Sequence, residues 1–99
     1  MIYLFALLLT LTHSKAIAQT EKAEKVYSVV KVFKSYEWYE TQYNLWAVEV
    51  KRHKKDANAW ENYYAAARMA KIMAPSDEKR NTWYERMEAI ISSIEKHIP

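Results

Sequence analysis

Few residues in this 99-residue chain stand where chemistry could be done. His53 lies inside the run Lys51, Arg52, His53, Lys54, Lys55. As a metal ligand it would have cations on both sides and no partner at i+4. His97 is accounted for by its place in the last turn of a helical stretch, and no H-x-x-x-H, H-E-x-x-H or carboxylate-rich calcium loop occurs. Glu85 and Glu88, at i and i+3, share one face of one helix, whereas paired acid–base carboxyls stand across a cleft on separate elements. The chain has no cysteine, which excludes disulfides, thiolate metal sites and a Cys nucleophile. It has no glycine either, so no phosphate cradle or dinucleotide fingerprint can be built. The expectation is a protein that is not an enzyme, with no catalytic, cofactor-binding or metal-binding residues.

The basic run 51–55 is the other charged candidate. Five residues without interleaved aromatics point weakly to nucleic acid, and a formal net charge of +3 is modest for such a partner. Cations gather at helix C-termini because they meet the negative end of the helix dipole, and a solvated helix end explains this cluster. An anionic membrane surface is its alternative partner.

Four Trp, eight Tyr and two Phe make the aromatics the most distinctive set. Trp38-Tyr39, Tyr63-Tyr64 and Trp83-Tyr84 are sequence neighbours, 100° apart on a helix, so one of each pair should lie at a boundary. Boundary Trp and Tyr suit partner binding because they bury much area at low rotamer cost.

Helices must position these rings. Tyr39, Tyr43, Trp46 and Val50 recur at steps of four, three and four, the stripe of an amphipathic helix over residues 36–55 with Ser35 as N-cap. A second helix, residues 58–74, capped by Asp56 or Asn58, presents Trp60, Tyr63, Tyr64, Ala67 and Ala70 and stops at Pro75. A third, residues 77–97, capped by Ser76 or Asp77, presents Trp83, Met87, Ile90, Ile91, Ile94 and Ile98. Short connections make antiparallel packing the default. Residues 26–33 fit either an extended strand or a helix face, and residues 19–35 are read as a polar, extended lead-in.

The N-terminus carries an address. Residues 2–11 are an almost purely apolar run leading to Ala16-Ile17-Ala18, a small-x-small triplet of the kind signal peptidases cut after. About ten apolar residues are half of the roughly twenty needed to span a bilayer, which disfavours an uncleaved anchor. The expectation is a signal peptide over residues 1–18, cleaved after Ala18 with Ala16 and Ala18 as its recognition residues, and export to a bacterial periplasm, envelope or medium. Membrane contact is then through the signal segment alone.

Lys54-Lys55-Asp56-Ala57-Asn58-Ala59-Trp60 resembles the junction between tetratricopeptide repeats, where a turn leads into a helix that opens with Trp. Met87, Ile91, Ile94 and Pro99 resemble that family's spacing of core positions and closing proline. Lys54 stands where proline is usual, Tyr64 replaces a small residue, and the second repeat is elongated around Pro75. The resemblance implies an all-α fold of antiparallel helical hairpins, about one and a half repeats over residues 36–99, as a domain or the first piece of a longer array. It also implies a scaffold that binds protein or peptide. Trp38, Asn44, Asn62, Tyr64, Arg68 and Trp83 are the candidate partner-binding residues. Asparagine on a concave face suits a peptide backbone because its amide both donates and accepts. A carbohydrate-binding module stacking polysaccharide on Trp38 or Trp83 is the alternative, as is a basic envelope protein. No cofactor and no nucleic acid is expected.

Overall fold

A computed structural model of the chain describes residues 22–26 and 33–99. The apolar run 2–11, the triplet ending at Ala18 and most of the ambiguous stretch 26–33 lie outside these residues. The described part is all-α. Helix α1 runs over Tyr36–Arg52, α2 over Ala57–Met73 and α3 over Asp77–His97, with residues 22–26 forming a non-helical segment beside them. None of the helices is long and apolar enough to cross a membrane.

Each helix begins at a side chain able to satisfy the amides that have no partner inside the helix. Ser35 Oγ accepts from the Trp38 N–H, Asp56 Oδ1 from the Asn58 and Ala59 N–H groups, and Ser76 Oγ from the Lys79 N–H. Ala74 has φ −61° and ψ 136°, the extended geometry that a following proline imposes, so α2 ends before Pro75. Helix α1 stops at Arg52, three residues short of the end its charge pattern predicts. His53 closes it by donating its N–H to the Glu49 carbonyl, and Lys54 and Lys55 form the turn that follows. The indole of Trp60 reaches back from the first turn of α2 to donate to the Lys54 carbonyl at 2.7 Å. The same ring stacks on His97 at the end of α3, with centroids 5.8 Å apart. The start of α2 therefore adjoins the ends of α1 and α3, and both hairpins are antiparallel.

Packing is between neighbours in sequence. Helix α2 lies against both α1 and α3, while no Cα of α1 comes within 8 Å of one in α3. Alanines allow the close approach on both sides: Ala59, Ala66, Ala67, Ala70 and Ala74 are all buried. The space left between α1 and α3 is crossed by rings instead. Trp83 meets Tyr36 edge-on at 6.3 Å and Tyr43 edge-on at 4.9 Å, and its indole N–H donates to Tyr36 Oη at 2.9 Å. Tyr43 in turn stacks on Tyr63 of α2 at 4.9 Å.

Trp83 is 1% exposed and is the largest fully buried side chain. Its removal opens a large void where no backbone can close in. Trp83→Ala should lower the unfolding free energy by roughly 3–5 kcal/mol. A urea titration showing a loss below about 1 kcal/mol, within the range of ordinary surface changes, would show that the ring bridge does not hold α1 to α3.

Candidate functional site

Two surfaces on the α1–α2 layer carry polar groups aimed at something other than their own helix. The first is a groove that holds residues 22–26. Gln42 Oε1 accepts the Glu24 N–H at 2.6 Å, and Asn62 Oδ1 accepts the Val26 N–H at 2.7 Å. The Trp46 indole donates to the Glu24 carbonyl at 2.9 Å. An extended chain presents the N–H and C=O of residues i and i+2 on one edge, so these contacts grip a single edge of the segment. All three act on main-chain atoms and none on a Glu24 or Val26 side chain.

Gln42 and Asn62 are the buried polar residues of the domain, at 2% and 3% exposure. A buried amide without partners would cost about 1–3 kcal/mol, and here each is occupied by the segment. Asn62 is also anchored from behind, because its Nδ2 donates to the Asn58 carbonyl one turn earlier at 2.9 Å. That bond fixes the amide so that its oxygen faces the segment.

The second surface is an open cleft of about 290 Å³ between α1 and α3, with the first turns of α2 as its floor. Tyr43, Ala47, Val50, Lys51 and Lys54 line one wall, and Arg86, Ala89, Ile90, Ser93 and His97 the other. Each wall is a single stripe at helical spacing. Trp60 and Tyr63 form the floor. Burial pushes the Tyr63 phenol well above its ordinary pKa, and its hydrogen bond with Tyr43 adds to the shift, so the ring stays uncharged. Sequence neighbours divide between the two surfaces. Gln42 and Tyr43, Trp46 and Ala47, Asn62 and Tyr63 each send one member to the groove and one to the cleft, 100° apart around their helix.

The six residues expected from sequence to meet a partner are scattered. Asn62 is in the groove. Trp38 is half-buried, edge-on to Tyr39 at 5.2 Å and under the Lys34 ammonium at 5.7 Å. Tyr64 is half-buried against the core, and Asn44 and Arg68 are exposed on α1 and α2. Trp83 is internal, and its neighbour Tyr84, 53% exposed, is the outward member of the pair. Trp83 therefore offers no face on which a sugar could stack. No hydrogen bond, ion pair or ring contact joins any two of the six among the described residues.

Sequence reasoning missed Gln42, Arg86, Ser93 and His97. Gln42 adjoins the Tyr39–Tyr43–Trp46 stripe, and a polar residue flanked by apolar stripe positions was the available signal. Ser93 and His97 stand one turn apart on the cleft wall, yet no hydrogen bond joins them; the imidazole is stacked on Trp60. Among the described residues no group of three or more His, Asp or Glu could hold a metal ion.

The site is thus a groove and a cleft on a neighbour-packed stack of three antiparallel helices. Comparison with models of known families, with curated proteins and with solved structures finds no match.

The groove makes a direct forecast. Gln42→Ala and Asn62→Ala each remove the acceptor of one segment amide, a bond worth about 1 kcal/mol net. Hydrogen exchange followed by NMR should show the Glu24 amide losing protection in the first variant and the Val26 amide in the second. Unchanged protection in both would mean that these amides are held by something else.

Proposed function

We propose that this chain is an exported, non-enzymatic helical scaffold of tetratricopeptide-like design that binds protein partners as extended peptides. The observation that carries the reading is the set of three main-chain hydrogen bonds by which Gln42, Asn62 and Trp46 hold residues 24–26, with the Val26 side chain packed against the core beside them. A surface that reads the edge of an extended backbone is indifferent to most side chains, so it suits a partner segment as well as the chain's own. Trp46, half-buried at the rim, is the boundary aromatic that this mode uses.

Neighbour-only packing supports the repeat-like design. In a solenoid the backbones pack mainly on the helices before and after, and here α1 and α3 meet through side chains only. Trp60 at the head of α2, tied to the preceding turn, fits the resemblance drawn from residues 54–60. The apolar run 2–11 and the Ala16-Ile17-Ala18 triplet support export. Intact mass of the protein recovered from outside the cytoplasm of an expressing bacterium should correspond to a chain beginning at Gln19. A mass that includes residues 1–18 would remove the cleaved-signal reading.

Peptide binding is tested with a labelled synthetic peptide of residues 21–28 added to the full chain carrying Glu24→Pro and Val26→Pro, which lacks the two amides that fill its own groove. Saturable binding is expected by fluorescence anisotropy, and methylation of the two amide nitrogens equivalent to Glu24 and Val26 should abolish it. Exchanging the peptide's side chains other than the one equivalent to Val26, while keeping free amides, should change affinity by less than about tenfold, or 1.4 kcal/mol. Equal binding of the N-methylated peptide, or no binding up to about 1 mM, defeats the proposal.

A further inference from the structure

The cleft between α1 and α3 differs in chemistry from the groove, and its charges all have one sign. Lys51, Lys54 and Arg86 line it together with His97, and no Asp or Glu does. Lys51 lies in the last turn of α1 and Lys54 in the turn just beyond it, where the helix dipole accounts for cations. Arg86 does not fit that explanation, because it sits in the middle of α3, far from either end. Its guanidinium carbon lies 4.4 Å from the centre of the Trp83 ring and 5.3 Å from that of Tyr43, so two rings hold the cation in place. The guanidinium carries five N–H donors, and among the described residues they find no acceptor and no carboxylate partner. A half-buried cation held rigid, with its hydrogen bonds open to an adjoining cavity, is arranged to receive an anion.

Ser93 aside, the rest of the cavity is lined by apolar and ring side chains. Ala47 and Ala89, one on each wall, take up little of the space. Val50, Trp60, Tyr63 and Ile90 supply hydrocarbon and ring surface. The volume of about 290 Å³ suits a small molecule rather than a folded partner.

We infer that this cleft binds a small apolar carboxylate, its head on Arg86 and its hydrocarbon body against Val50, Trp60 and Ile90. The planar fork of Arg86 matches two carboxylate oxygens at once, and Lys51 on the opposite wall adds a second positive charge. The site is separate from the main-chain grip of the groove and stands or falls without it.

The test uses the full chain, naphthalene-2-carboxylate as probe and the uncharged naphthalene-2-carboxamide as its match in shape. Isothermal titration should find the carboxylate bound at least about tenfold more tightly, the scale of a charge-assisted hydrogen bond. NMR shifts should centre on the Trp60 indole N–H and Ile90. Arg86→Gln keeps the aliphatic stem over Trp83 and should remove the preference for the charged probe while leaving weak binding of both. Ala89→Phe should fill the cavity and end binding of both, with the Trp46 indole signal unchanged as a report on the intact groove. Equal affinity for the two probes, a preference that survives Arg86→Gln, or shifts centred on Trp46 would overturn the assignment.

Discussion

Trp83 is the buried side chain that ties together helices whose backbones never meet, with Arg86 over Tyr43 and Lys79 over Tyr36 beside it. Neighbour-only packing gives α2 two partners and leaves α1 and α3 with none between them. Without a bridge the two hairpins would share α2 and nothing else. The indole supplies it with two edge-on ring contacts and a hydrogen bond to Tyr36, spanning a distance that no aliphatic side chain would fill. The amino-terminal halves of α1 and α3 are thereby closed by rings. Their carboxy-terminal halves, with Ala47 on one wall and Ala89 on the other, remain open as the cleft. The site exists because large and small residues are distributed unequally along one pair of stripes.

A second constraint concerns buried polarity. Small domains gain little from apolar burial beyond the entropy lost on ordering, so two buried amides are a notable expense unless both are bonded. Gln42 and Asn62 are bonded, and the groups that satisfy them belong to a segment with no regular structure of its own. Helix faces and segment therefore depend on each other. The segment gains order from the groove, and the groove gains partners for its two amides.

Much of the fold was legible in the sequence, for local reasons. Ser35, Asp56 and Ser76 announce their helices because a short side chain capping free amides needs only neighbours a few residues away. Pro75 announces the end of α2 through the geometry of Ala74. The end of α1 was less legible, since a run of cations suits both the last helical turn and the turn beyond it. The site was harder. Periodicity put Trp83 on the apolar stripe of α3, where it lies, but Trp83 was also expected to meet a partner, and the exposed member of the pair is Tyr84. Gln42 looks like any solvent-facing residue of an amphipathic helix, and only the path of residues 22–26 makes it internal. Arg86 becomes notable through what lies beneath it and through the carboxylates that are absent around it. Both are tertiary facts that no spacing along one helix can express.

The aromatic bridge at one end and the alanines at the other make the stack resemble a pair of tongs. Rings fix the pivot, and the jaws are the last three turns of α1 and α3, bearing Lys51 and Ser93. Nine residues separate Tyr43 from Arg52 at the end of α1, roughly 14 Å of helical rise. A swing of about 5° at the pivot would shift the jaw tips by a little over 1 Å on that lever arm. The mouth is held at its far end as well, because His97 at the tip of α3 stacks on Trp60 of the floor.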